Sequence, residues 1–281
     1  MRMAFVTLSR EGAALFPQIV AGLGEIDFFL HESAGPAQGA RFFAKIQYLI
    51  ARIFPQYRAL IFAAPCGVVV RSLSGRVRHK NTDPAVVVLD VRARWCISLL
   101  SGHEGGANDL ALRISNALGS EPVITTTTEA VKNLIVGIGC RRGVPAREIV
   151  TAIRSALDQT GTALTKVRLL ASADIKANEP GLREAAAQLG VPLRIIASEE
   201  IRECGRKFAH SEFVERHIGV PAVAEPAALL AGRRTRLFLP KTVFPKVTIA
   251  IVEEYCTWSG SDREIHSTAP GAPNKPFERA K

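Results

Sequence analysis

Short apolar runs alternate with helical segments of about twelve residues along most of this chain, which limits the fold to layered α/β arrangements. Strands are predicted at residues 3–8, 26–30, 59–64, 85–90, 95–100, 122–127, 134–138, 167–173, 193–197, 236–240 and 247–252. Helices are predicted at residues 11–23, 41–54, 68–73, 108–118, 145–160, 180–189, 211–217 and 225–230. The pattern predicts two layered α/β domains with mainly parallel sheets that pack closely together.

The domain boundary is predicted near residues 130–133, where the connection is short and lacks a Pro/Gly linker. We assign residues 1–130 to the first domain and residues 131–253 to the second. Residues 254–281 are polar and rich in Pro, Gly and Ser, which is typical of a disordered tail. Inside the first domain, residues 91–94 separate two apolar runs and predict a hairpin.

Composition favours a globular protein, because 47% of the 281 residues are hydrophobic and 22% are charged. No apolar run approaches the roughly 20 residues of a membrane span, and the amino terminus runs directly into a strand-like segment. We therefore expect a soluble cytoplasmic protein with no membrane partner. The five cysteines are widely spaced without a C-x-x-C pair, which favours reduced thiols over disulfides or a cysteine zinc site.

The formal net charge of +10 favours acidic partners, either nucleic acid or a small polycarboxylate or phosphate. Aromatic residues make up only 6% of the chain and are not interleaved with the basic residues, which weakens the case for base stacking. No nucleic-acid partner is therefore predicted.

Residues 101–109 form the most polar strand-to-helix junction. They contain three glycines together with Ser101, His103, Glu104, Asn108 and Asp109. Such junctions face the open end of a sheet, where α/β proteins bind ligands. His titrates near neutral pH and a neighbouring carboxylate can orient it, so His103 and Glu104 are the best acid–base pair. A structural turn histidine is the alternative.

Other chemistries fit this junction less well. Ser101 lacks the G-x-S-x-G context of a hydrolase nucleophile, and His103 with Glu104 supplies too few ligands for a metal. Lys80 and Asp83 are weaker site candidates on a nearby turn.

A second glycine-rich junction, residues 135–143, contains Arg141 and Arg142 immediately before a helix, an arrangement suited to anions. It lacks the dinucleotide fingerprint and the P-loop lysine, so a nicotinamide cofactor is not expected. The alternative is a glycine turn with solvated arginines. Residues 173–181 form a third junction, where Asp174, Lys176 and Glu179 predict either a charged network around a ligand or an N-capping loop with a surface ion pair.

Taken together, these motifs resemble the CbiG family, the cobalt-precorrin-5A hydrolases of cobalamin biosynthesis. The resemblance is carried by residues 64–71, 80–90, 97–108 and 122–126, and then by 137–143, 174–181, 223–225 and 240–242, where the second half resembles CobE-like proteins. It covers roughly residues 3–252. The family usually has a middle segment between its domains, whereas here residues 125–130 are followed almost at once by residues 133–137.

The resemblance implies hydrolytic opening of the ring A δ-lactone of cobalt-precorrin-5A and release of acetaldehyde. It implies no protein cofactor or metal, because the substrate carries the cobalt. For this reaction, the leading hypothesis is that His103 or Glu104 positions or deprotonates water. Backbone amides of Gly105 and Gly106 would stabilise the oxyanion. The residues expected to bind the macrocycle are Cys66, Gly67, Arg71, Ser101, Gly102, Gly105, Gly106, Asn108, Gly139, Arg141, Arg142, Asp174, Lys176, Glu179 and Lys241.

Two other functions remain open at this point. One is a non-catalytic carrier of corrinoid intermediates, and the other is nucleic-acid binding driven by charge. A homodimer and transfer contacts with neighbouring pathway enzymes are further expectations about partners.

Overall fold

The first sheet has seven strands in the order β3-β2-β1-β4-β5-β6-β7, in a computed structural model that describes residues 2–204 and 223–255. All neighbouring strands are parallel except β5 and β6, which form the predicted hairpin. The strands are β1 Met3–Thr7, β2 Asp27–His31, β3 Ala40–Phe43, β4 Ala59–Ala63, β5 Ala85–Leu89, β6 Trp95–Leu100 and β7 Glu121–Val123.

Strands β1, β4 and β5 are buried along their whole length, because helices cover both faces of this sheet. One face packs against α3 and α4, and the other packs against α2 and α5. The helices are α1 Arg10–Ala13, α2 Phe16–Leu23, α3 Ile46–Ile53, α4 Cys66–Leu73, α5 Ala107–Leu118 and α6 Thr127–Ala130.

The second sheet has five strands in the order β10-β9-β8-β12-β11. Strands β8, β9 and β10 are parallel to one another, whereas β12 is antiparallel to both of its neighbours, β8 and β11. The strands are β8 Leu134–Cys140, β9 Val167–Ala173, β10 Leu193–Ile196, β11 Thr235–Phe244 and β12 Val247–Glu254. The helices are α7 Ala146–Gln159, α8 Pro180–Leu189, α9 Ser198–Glu203 and α10 Ala224–Leu230. The two sheets confirm the predicted α/β class with mainly parallel strands.

Three predictions of local structure were wrong. The strand predicted over residues 122–127 ends at Val123, and helix α6 begins at Thr127. Residues 41–43 belong to strand β3, and the helix predicted there begins only at Ile46. Phe42 is exposed while Phe43 is buried, so this segment follows the two-residue period of a strand. The helix predicted over residues 11–23 is two helices, α1 and α2. The helix predicted at residues 211–217 and residues 256–281 of the predicted tail lie outside the described residues. Glu254, which was assigned to the tail, is the last residue of strand β12.

Side chains of α5 and β7 attach the first domain to the open edge of strand β10. The Asn116 carboxamide donates to the carbonyl oxygen of Leu193 (2.8 Å) and accepts from the amide of Ile195 (2.9 Å), as a neighbouring strand would. Arg194 is buried, and it donates to Glu121 (2.7 Å) and to the Ala231 carbonyl (3.3 Å). The two sheets are therefore held together by specific polar contacts.

Replacing Asn116 with alanine should lower the free energy of unfolding by about 1–3 kcal/mol, because two backbone groups of β10 would lose their partner at an interface. Urea denaturation measures this loss. The control is Gln38→Ala on an exposed loop, which should change stability by less than about 0.5 kcal/mol. Equal stability of the two variants would contradict the bridging role of Asn116.

Candidate active site

Residues 101–109, which we call the glycine turn, connect strand β6 to helix α5. Ser101 is buried and adopts a left-handed conformation (φ 57°), and its hydroxyl donates to the carbonyl oxygen of Asp83 (3.2 Å). A non-glycine residue in this region stores backbone strain, which is most common at functional sites. The strain at Ser101 is maintained by contacts on both sides of the turn.

Asn108 fixes the turn from below. Its carboxamide accepts from the Ser98 hydroxyl (2.8 Å) and donates to the Thr126 hydroxyl (3.0 Å). A Cβ on Gly102 would lie 2.7 Å from Thr126 Cγ2, and one on Gly105 would lie 2.4 Å from Ser101 Cβ. The glycines therefore allow a close approach of the backbone to these neighbours, and Asn108 supports the turn from within the protein.

His103 and Glu104 project from the outer side of the turn. Both are exposed, and the His103 ring has no hydrogen-bond partner within the described part of the chain. Glu104 forms an ion pair with Lys80, and this contact holds the pKa of the Glu104 carboxyl below its usual value. The ion pair therefore favours the charged carboxylate, while the imidazole is available to a ligand.

Two backbone amides on the same turn are also available. The amides of Ala107 and Asn108 donate to the carbonyls of Ser101 (3.2 Å) and Gly102 (2.9 Å). Those of Gly105 and Gly106 donate to no backbone carbonyl in residues 2–204 or 223–255. Unpaired amides at the start of a helix suit a developing negative charge on oxygen.

The glycine turn does not lie at the sheet edge that the sequence suggested. Strand β6 is antiparallel to β5, with Leu100 beside Val86, so the turn reaches the amino ends of β4 and β5. Cys66 and Gly67 lie at the opposite edge, because α4 begins directly after the carboxyl end of β4. Arg71 belongs with them, since its guanidinium folds back towards Gly67. Strands β4 and β5 are each five residues long, so the two edges are about 13 Å apart. These three residues are therefore not brought together with His103 and Glu104.

The remaining predicted residues gather at the carboxyl ends of β8 and β9, which we call the basic edge. Gly139 is part of β8 and accepts a hydrogen bond from the Thr248 hydroxyl (3.2 Å), and Arg141 and Arg142 follow it as exposed residues. The amide of Lys241 on β11 donates weakly to the buried Glu225 (3.4 Å). Glu225 had been included only in a motif of the resemblance, and its burial beside Lys241 could not be read from the sequence.

The acidic residues of the basic edge have internal partners. Asp174 accepts from the amide of Ser198 (3.0 Å) and contacts its hydroxyl, and these bonds outweigh burial and lower the pKa of Asp174. Asp174 therefore binds the first residue of α9, whereas α8, the helix that follows this loop, has no side-chain cap. Glu179 accepts from the amide of Gly143 (3.0 Å) and lies 3.5 Å from the ammonium of Lys176. That ion pair is nearly buried and so differs from the predicted surface pair.

Other features bear on cofactors and redox chemistry. Burial raises the pKa of Cys96 to about 12 and also raises that of Cys140, so neither thiol is activated as a nucleophile. Cys256 lies outside the described residues. No group of three metal-ligating side chains occurs in the described ranges, and no helix there is long and apolar enough to cross a membrane.

A cavity of about 190 Å³ lies between the domains, beside the linker. Its charged side chains form two ion pairs, Lys132 with Glu129 (2.8 Å) and Arg168 with Glu254 (2.7 Å). The charges in this cavity are thus compensated, which makes it a weaker candidate than the glycine turn for binding an anionic ligand.

Two family models match separate parts of the chain. A family model described as "Cobalamin synthesis G N-terminal" matches residues 48–129, and "Cobalamin synthesis G C-terminus" matches residues 134–252. The chain is 28% identical over 272 residues to cobalt-precorrin-5A hydrolase of Salmonella typhimurium, covering 64% of this chain and 78% of that protein.

Two further relatives match different parts of the chain. The cobalt-precorrin-5A hydrolase of Priestia megaterium is 24% identical over 308 residues, covering 75% of this chain and 82% of its own length. Protein CobE of a Sinorhizobium species is 37% identical over 127 residues, covering 44% of this chain and 82% of CobE.

Proposed function

Since the chain belongs to the cobalamin synthesis G (CbiG) family, we propose that it is a cobalt-precorrin-5A hydrolase of cobalamin biosynthesis. The reaction opens the ring A δ-lactone with water and releases acetaldehyde to give cobalt-precorrin-5B. The macrocycle carries the cobalt, so the proposed chemistry needs no resident metal or cofactor. A cytoplasmic location, a homodimer and transfer contacts with pathway enzymes stay predictions.

The arrangement of the glycine turn carries this proposal. His103 is exposed beside Glu104, whose charged form is favoured by an ion pair with Lys80. An imidazole in this position can take a proton from water as the water attacks the lactone carbonyl. The free amides of Gly105 and Gly106 would then donate to the oxyanion that forms.

Lactone opening leaves a hydroxyl on the two-carbon unit, which is then attached to the macrocycle by one carbon–carbon bond. Loss of that proton and cleavage of the adjacent carbon–carbon bond give acetaldehyde, and the bonding electron pair stays on the macrocycle. A charged carboxylate such as Glu104 beside the imidazole would stabilise the imidazolium during the first step.

The second candidate function is a carrier of corrinoid intermediates. The arginines of the basic edge favour it, because they lie in the half of the chain that resembles CobE and apart from the glycine turn. A carrier would bind the macrocycle and return it unchanged.

Incubation with cobalt-precorrin-5A distinguishes the two functions. A hydrolase consumes the tetrapyrrole and yields an equal amount of acetaldehyde, which can be trapped as a hydrazone and quantified. A carrier retains the tetrapyrrole and yields none.

Replacing Lys80 with methionine should shift the acid side of the pH–rate profile to higher pH. Lys80 lowers the pKa of Glu104, so its loss lets that pKa rise towards the usual value. Activity that needs the Glu104 carboxylate is then lost earlier as the pH falls. Lys166→Met, at an exposed site without an ion pair among the described residues, is the control and should leave the profile in place. Identical profiles for all three proteins would exclude this role of Lys80.

A further inference from the structure

We infer that the basic edge is a separate binding site for a polycarboxylate macrocycle, so that one chain binds two such ligands, one at this edge and one at the glycine turn. The class of ligand rests on the proposed function, whereas the separation of the two sites rests on the fold.

The arginines of the basic edge stand on a backbone that is held on both sides. The amide of Arg141 donates to the Lys246 carbonyl (2.9 Å), and the amide of Gly143 donates to the buried Glu179 (3.0 Å). Arg142 lies between these two anchored positions. A fixed turn reduces the entropy that is lost when its side chains bind a ligand.

The two guanidiniums have no acidic partner of their own. Within residues 2–204 and 223–255, neither Arg141 nor Arg142 forms an ion pair, although both are exposed. The nearby acids are already engaged: Glu179 with Lys176, Asp174 with Ser198, and Glu148 with Lys246 (3.4 Å). Two adjacent free guanidiniums suit a ligand with more than one carboxylate.

The fold places this edge and the glycine turn at opposite ends of the second sheet. Thr126, which contacts Asn108 of the glycine turn, is followed directly by α6 and by the amino end of β8 at Leu134. The basic edge begins at Cys140, six residues along the same strand, which is about 20 Å. The sheet itself therefore lies between the two surfaces, and one flat ligand cannot touch both.

The register of helix α5 supports the same separation. Leu112 shares a cavity with Pro192, whereas Asn116, one turn later, bonds to Leu193 and Ile195. Helix α5 and strand β10 therefore advance in the same direction. The glycine turn at the start of α5 is consequently on the side away from the carboxyl ends of the second sheet.

Equilibrium titration of the full chain with cobyrinic acid, a stable cobalt corrin with free carboxylate arms, tests the inference. We expect two equivalents for the wild-type protein. In the R141Q/R142Q double variant, the affinity for one of the two equivalents should fall by roughly 10- to 100-fold per guanidinium lost. The control is R52Q/R154Q, which removes two exposed arginines from helices α3 and α7. This variant should bind both equivalents as tightly as the wild-type protein.

Saturation at one equivalent in the wild-type protein, or two full equivalents in the R141Q/R142Q variant, would overturn the inference. His103→Ala should retain the equivalent that depends on Arg141 and Arg142. Loss of that equivalent in His103→Ala would show a single shared site. Acetaldehyde release by the wild-type protein is measured separately, so two equivalents without turnover would refute the hydrolase and leave this site standing.

Discussion

The His103→Ala variant should release acetaldehyde roughly 10²–10⁴ times more slowly than the wild-type protein, the usual contribution of a positioned acid–base group. His103 is exposed and makes no hydrogen bond to the described residues, so its loss should leave the fold intact. Glu104→Gln should lower the rate less severely, because the amide retains the shape of the side chain but cannot stabilise an imidazolium. The effect in both variants should fall on kcat more than on KM.

Turnover of cobalt-precorrin-5A, measured together with thermal unfolding, checks this prediction. Glu25→Gln, an exposed carboxylate on the loop before β2, is the matched control and should keep full activity. Wild-type rates in both variants would remove His103 and Glu104 from the chemistry. A parallel drop in melting temperature would instead indicate a structural turn histidine.

Gly105→Ala should reduce activity strongly and lower the free energy of unfolding by about 1–3 kcal/mol. Its Cβ would lie 2.4 Å from Ser101 Cβ and 2.8 Å from the Ser101 carbonyl oxygen, so the turn must move. Movement would displace the free amides of Gly105 and Gly106 from the position proposed for the oxyanion. Loss of one such donor typically costs 10²–10³ in rate, as a rough guide.

Gly75→Ala separates this clash from a general effect of replacing glycine. Gly75 has φ +74° and nothing within 4 Å of its Cβ position, so alanine there costs about 1–2 kcal/mol of backbone strain without touching the turn. Urea denaturation and steady-state kinetics on both variants make the comparison. If Gly105→Ala retains wild-type kcat while Gly75→Ala loses stability as expected, the turn has no part in catalysis.

Periodicity was sufficient to predict most of the architecture. Strands β1, β4, β5 and β9 are short, buried and rich in branched or aromatic residues, and the spacing of apolar residues identified α5 and α7. It failed at residues 41–43, where adjacent apolar residues satisfy the helical and the strand period equally well. Tertiary pairing with β2 decides that segment.

The composition of the glycine turn was predictable, but its neighbours were not. The motif itself pointed to His103 and Glu104, and the comparisons confirm the family resemblance that it carried. The Lys80–Glu104 ion pair joins residues far apart in sequence. Lys80 was a weaker site candidate, but nothing in the pattern paired it with Glu104. Ser98 and Thr126, which hold Asn108, looked like ordinary strand and capping residues.

The β5–β6 hairpin explains why the predicted binding residues of the first domain are separated, which the sequence did not reveal. The hairpin between β5 and β6 was predicted, yet it reverses the edge at which the carboxyl end of β6 emerges. Cys66 and the glycine turn consequently lie at opposite edges of the first sheet. The basic edge likewise lies beyond the full length of β8.

Lactone hydrolysis is tested most directly by turnover of cobalt-precorrin-5A in ¹⁸O-labelled water. We predict that each tetrapyrrole product contains one ¹⁸O atom, in the ring A carboxylate released from the lactone, and that one acetaldehyde forms per product. Recovery of unlabelled and unchanged cobalt-precorrin-5A from a protein that binds it tightly would contradict the hydrolase and establish the carrier.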